Sequence, residues 1–144
     1  MKPVDMMVVH DPAAGRIGDC FRCCIASILE LPAPDVPHFM IEDWGKEKDF
    51  TWYPKLTSWL AARGLAYFEH TIAADFHGPR WFALLAAAGF DVFHVMSGVS
   101  PRARHSVVAR NGVMVHDPHP SRDGLIGPGD DGWTYGFILL RGAA

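Results

Sequence analysis

Between Asp19 and Pro32 apolar side chains recur every third or fourth residue. At about 100° per residue, Phe21, Cys24, Ile25, Ile28 and Leu31 fall on one stripe, with Arg22, Ala26 and Glu30 opposite. Asp19 is a good N-cap, and Pro32 and Pro34 cannot continue a helix. The spacing therefore predicts a helix from Cys20 to Leu31 that packs one face on a core. Leu56, Trp59, Leu60 and Arg63 repeat the period before Gly64, predicting a second helix from Tyr53 to Arg63. An Ala-rich stretch opened by a proline predicts a third, from Pro79 to Gly89. Short β-branched or alternating runs predict strands at Val4 to Val9, Leu65 to His70, Phe90 to Met96, His105 to Ala109, Val113 to Asp117 and Trp133 to Leu140. Helices fall mostly early and an antiparallel sheet late, which is the α+β class.

Composition narrows this picture. A length of 144 residues, 49% hydrophobic, suits one domain (1–144) with a core of its own. A net charge of −3, with acids and bases scattered, leaves no footprint for nucleic acid or anionic lipid, so neither is expected as a partner. Asp5 interrupts the short apolar stretch at the N-terminus, unlike a secretory leader, and the run from Trp81 to Phe90 is too short to span a bilayer. A soluble protein is expected. Three cysteines in one cluster, Cys20, Cys23 and Cys24, cannot form a disulfide framework and suit a reducing cytoplasm.

Helix geometry separates the three thiols. Cys24 lies about 40° from Cys20, inside the apolar stripe, and Cys23 lies on the polar side. Cys24 is then a core residue and Cys23 a bystander. Cys20 falls in the first turn, where unpaired N–H groups and the helix dipole favour a thiolate and so a nucleophile. The hairpin supplies its base. A three-residue loop Arg110-Asn111-Gly112 would pair Ala109 with Val113, Val107 with Val115 and His105 with Asp117, so that Asp117 orients the imidazole. A two-residue Asn-Gly loop shifts the pairing by one and sends His105 and Asp117 to opposite faces.

The run GDCFRCCIASILEL, opening a helix with cysteine first, and the later RHSVVARNGVMVHDPHP resemble the papain-like cysteine peptidase superfamily, especially its compact bacterial and phage members. The resemblance covers the helix and the hairpin and leaves out the middle of the chain. It implies a papain-like fold and a hydrolase of peptide or isopeptide amides, with Cys20 as nucleophile, His105 as general base and Asp117 as orienting residue. It implies no cofactor and a peptide or protein substrate. Such enzymes usually place a Gln before the cysteine as oxyanion donor, and this chain has none. The backbone N–H of Cys20, with His10 or else Arg16, is the expected replacement, His10 being favoured.

Other readings compete. Cys20 and Cys23 with His116 and His119 could supply four zinc ligands, although the spacing lacks the usual tight knuckles, and a thioredoxin-like redox role lacks the strand and crossover-helix context. The same site could be an acyltransferase, or a binding module that has lost its chemistry. Phe39, Trp44, Trp52, Tyr53, Trp59 and Trp81 could line a cleft, with Phe39 and Trp44 bounding a substrate groove. Arg102, Arg104 and Arg110 could bind an acidic substrate group, Arg104 being the chosen contact.

Overall fold

The computed structural model describes residues 1–43, 45, 49–74 and 78–142. Helix α1 (Cys20–Leu29) forms on the predicted stripe but ends two residues before Leu31. Glu30 turns left-handed at φ 58°, and its N–H and that of Leu31 fold back onto carbonyls of the last turn, a left-handed cap that stops the helix ahead of the prolines.

The expected strand from Val4 to Val9 is not a strand. Its backbone groups find partners one at a time. Lys2 N–H donates to Ser27 O at 3.0 Å, Val4 N–H to Ser27 Oγ at 2.9 Å, Met6 N–H to Pro118 O at 2.9 Å and Val8 N–H to Asp19 Oδ1 at 3.0 Å. The bonds to Ser27 and Asp19 lay the segment along α1, and the one from Met6 ties it to the turn beyond residue 116. The helix face expected to meet water is covered, and Cys23 and Ala26 are 0% exposed. Asp19 accordingly does not cap α1 with its side chain, which holds Val8 instead.

Helix α2 (Trp52–Ala61) starts one residue earlier than Tyr53, because the Asp43 carboxylate accepts the N–H groups of Thr51 and Trp52, each at 2.6 Å. A side chain eight residues upstream thus satisfies the first orphan donors of the helix. Phe21, Cys24, Ile25, Leu56, Leu60, Tyr67, Val95 and Val108 form the core that joins α1 and α2 to the sheet.

That sheet is antiparallel throughout: β1 (Leu65–Ile72), β2 (Phe93–Val99), β3 (Arg104–Arg110), β4 (Val113–His116) and β5 (Trp133–Leu140), in the order β1-β5-β2-β3-β4. The fold is α+β, as expected. Strand β2 begins three residues after Phe90 because the connection ahead of it is tied to the hairpin, Asp91 accepting Arg110 Nε at 2.7 Å and Asn111 Nδ2 at 3.3 Å. Helix α3 (Gly78–Ala87) covers the other face, where Phe82 stacks on His94 at 4.9 Å and meets Tyr135 edge-on. Burial lowers the His94 pKa to about 4, so this core histidine is neutral. Among the described residues no helix is long and apolar enough to cross a membrane.

The β3–β4 turn corrects the expected register. Asn111 (φ 49°) and Gly112 (φ 78°) are both left-handed, so the loop has two residues, and Arg110 pairs with Val113 and Ala109 with Met114. A bulge then leaves Val115 without a partner and pairs Val108 with His116. One extra residue reverses the parity of all that follows, so Asp117 comes to the same side as His105, diagonal to it rather than directly opposite.

Gly112 has no room for a side chain: a Cβ there would lie 2.4 Å from Phe82 Cδ2. Gly112→Val combines left-handed strain with this overlap and is expected to destabilise the fold by roughly 2–4 kcal/mol. A urea midpoint within error of wild type would contradict the turn as described.

Candidate active site

His105 is the second residue of β3, and Asp117 directly follows β4. His105 Nε2 and Asp117 Oδ1 are 2.7 Å apart, and both side chains are buried. Asp117 accepts two further bonds, from His119 N–H to Oδ1 and from Gly124 N–H to Oδ2, both at 2.8 Å. Arg122 Nη1 donates to the Asp117 carbonyl, which ties down the turn that follows. With Nε2 engaged, the nitrogen left for a third partner is Nδ1.

Cys20, the first residue of α1, lies close enough to His105 to influence its charge. Burial opposes a proton on His105, but Cys20 and then Asp117 outweigh it, and the His105 pKa stands above 6.5. Asp117 shows the mirror balance. Burial would raise its pKa, yet the bond from His105 and the two backbone N–H groups bring it below 3.8. The stabilisation from Asp117 is present above pH 3.8 and is lost as pH falls through its lowered folded pKa. That from His105 is present below pH 6.5 and is lost as pH rises through its raised folded pKa. The pair is strongest between those limits.

Cys20 is the partly exposed thiol of the three. Cys23 is fully buried under the N-terminal segment, its Sγ 3.3 Å from Asp5 O, and burial pushes its pKa up to about 12. It is a core residue rather than a bystander on a polar face. Cys24 is a core residue as expected, and burial raises its thiol well above its ordinary value. The zinc set does not converge: His116 Nε2 meets Val4 O at 3.0 Å and His119 Nδ1 meets Ser121 Oγ at 2.7 Å. Among the described residues no group of three or more His, Cys, Asp or Glu is placed to hold a metal.

His10 packs against the loop that delivers Cys20. Its Nδ1 accepts the Gly18 N–H at 3.2 Å, which puts the proton of the neutral ring on Nε2. Gly18 is required there, since a Cβ would lie 2.8 Å from that of His10. Arg16, the alternative donor, is paired with Asp11 at 2.7 Å. The helix start gives Cys20 a backbone N–H with no helical acceptor.

The expected substrate contacts fare unevenly. Phe39 is 4% exposed and packs edge-on against Trp59, so it is chiefly core, although it borders a cleft of about 560 Å³ with His38, Lys55 and Trp59. His38 Nε2 lies 3.2 Å from Ile17 O, close to the cysteine in sequence. Trp44 and the Trp81 side chain lie outside the described residues. Arg104 is exposed and loosely paired, 3.9 Å from Asp130 and 4.0 Å from Asp131. Arg102 pairs with Asp123 and Arg110 with Asp91, the latter at the far end of β3 from His105.

The sequence suggests His119 only as a metal ligand, yet it stands edge-on to His105, ring centroids 6.1 Å apart. The signal was in the sequence: an aspartate can accept the N–H two residues on, and Asp117 does so from His119.

Asp117→Asn removes a charge that holds the His105 proton. The imidazole pKa is expected to fall in the variant, read from the pH titration of its ring carbon-bound protons by NMR; an unchanged value would contradict the coupling. No protein-family model matches the chain, and no curated protein or solved structure does so either.

Proposed function

We propose that this chain is a papain-like cysteine hydrolase acting on a peptide or isopeptide amide. The observation that supports it most is the buried His105–Asp117 pair, bonded through Nε2 at 2.7 Å, with the Cys20 thiol near enough to help raise the His105 pKa. This is the arrangement that a thiol nucleophile, a base and an orienting carboxylate require.

In the proposed reaction the Cys20 sulfur attacks the amide carbonyl carbon, and its proton passes through His105 to the leaving nitrogen. The C–N bond breaks and a thioester remains. His105 then takes a proton from water, the hydroxide adds to the thioester carbon, and the C–S bond breaks to release the acid and restore the thiol. An amine in place of water makes the same site an acyltransferase. The developing oxyanion would be met by the Cys20 N–H and by His10 Nε2–H. The absent glutamine is the one observation that favours a binding module, since losing a single oxyanion donor costs on the order of 100-fold in rate.

Two measurements separate these readings. Iodoacetamide labelling followed by peptide mass spectrometry is expected to modify Cys20 well ahead of Cys23 and Cys24, with the lead reduced in His105→Ala; equal labelling of the three would sink the nucleophile. Acylation by p-nitrophenyl acetate is expected to give a burst of p-nitrophenol stoichiometric with protein and absent in Cys20→Ala. Fast alkylation without such a burst would select the binding module.

A further inference from the structure

Strand β1 is one edge of the sheet, and its hydrogen bonds have a fixed phase. Arg141 N–H donates to Gly64 O at 2.9 Å, and these two residues continue the β1–β5 register, so they form a hydrogen-bonded pair. In an antiparallel ladder such pairs alternate with pairs whose N–H and C=O groups point away from each other. Ala66, Phe68, His70 and Ile72 therefore bond to β5, whereas Leu65, Tyr67, Glu69 and Thr71 turn their main-chain groups to the free edge. The Tyr67 carbonyl agrees with this phase, since it accepts the Tyr53 hydroxyl at 3.4 Å, and α2 thereby occupies the edge at Tyr67. Past that point no described residue bonds to the outward groups of Glu69 and Thr71, and Phe68, His70 and Thr71 are exposed.

A free edge pairs with another strand unless charge, proline or a bulge guards it. The opposite edge is guarded, because β4 has four residues and a bulge at Val115. β1 has eight residues in unbroken register, without lysine, proline or bulge. The strand is also complementary to itself. Turned antiparallel about a two-fold axis through His70, two copies bring Glu69 of each opposite Thr71 of the other, and each of these pairs exchanges two main-chain bonds. Side chains agree with the pairing. On the α1 face Thr71 can accept from the Thr134 hydroxyl, 3.1 Å away, and give its own proton to the Glu69 carboxylate of the second copy, where Oε2 already holds the Tyr67 hydroxyl. On the other face Phe68, 49% exposed and stacked on His70 at 6.4 Å, falls opposite Ile72.

We infer that β1 pairs with β1 of a second copy of this chain, antiparallel and centred on His70, which joins two five-stranded sheets into one. Neighbouring registers are worse. A centre at Phe68 would need the Tyr67 carbonyl that Tyr53 holds, a centre at Glu69 would oppose two carboxylates, and a centre at Thr71 would pair Glu69 with Ala73, beyond the strand. The inference is independent of the role of Cys20.

Sedimentation velocity of the full chain from about 1 to about 200 µM is expected to show a monomer–dimer equilibrium with a Kd on the order of 10 µM, since one short strand pair makes the contact. His70→Lys sets two ammonium groups across the axis, and Thr71→Pro removes only an outward donor. Each is expected to weaken the dimer roughly tenfold while leaving the bonds to β5, and with them the far-UV circular dichroism, unchanged. Oxidative cross-linking reads the register without relying on those variants. In a Cys20→Ala background, His70→Cys is expected to give a disulfide-linked dimer, because residues facing each other in such a pair have Cα atoms about 4.5 Å apart. Phe68→Cys is not, because the two copies of residue 68 stand about 13 Å apart along the strands. A monomer at every concentration, a dimer that survives both substitutions, or cross-linking through residue 68 in place of residue 70 overturns the inference.

Discussion

A carboxylate that is 4% exposed persists only where donors fill its lone pairs, and Asp117 has three. His105 Nε2–H and His119 N–H share one oxygen, and Gly124 N–H takes the other. Each donor comes from a different stretch of chain: the start of β3, the turn after β4, and the glycine-rich loop beyond it. This one side chain therefore joins three segments that no run of helix or sheet connects. It also holds the His105 ring through Nε2, which leaves Nδ1 outside that bond.

The position of Cys20 has a second cause, the burial of α1 on two faces. The sheet, with α2 packed alongside, covers the apolar stripe, and the N-terminal segment covers the opposite side through separate bonds to Ser27 and Asp19. Asp19 is held twice by Val8, its N–H donating to the Val8 carbonyl and its Oδ1 receiving the Val8 N–H, while Arg22 Nη1 lies 3.7 Å from its other oxygen. The helix is thereby fixed at the end where Cys20 stands. Cys23 and Cys24 disappear into the core as a by-product, and the thiol at the helix start is the one left partly exposed. Cluster membership says little about reactivity here; depth of burial separates the three.

Much of the fold was legible. The 3.6-residue periods located all three helices to within two residues at each end, because amphipathic burial imposes that period whatever the tertiary context. The β-branched runs located β1, β3, β4 and β5. Misses arose where a distant group supplied the hydrogen bonds. Val4 to Val9 has strand composition, but its N–H partners are a serine hydroxyl, the Pro118 carbonyl and an aspartate, none of which a local pattern encodes. Asp43 draws α2 one residue forward in the same way, and Arg110 and Asn111 hold Asp91 out of β2.

The pairing of His105 with Asp117 was expected through a three-residue loop and is present through a two-residue loop and a bulge. Residue types alone determined that a helix would begin at Cys20, that Asn-Gly would turn a hairpin, and that an imidazole and a carboxylate would lie on its two arms, because these depend on local backbone preferences. Register is different. A shift of one residue costs little along an isolated hairpin but moves every side chain to the other face, so it is settled by what each face must bury and by the donors waiting for Asp117. The sequence by itself thus determined which groups could meet, and only the tertiary structure decided that they do.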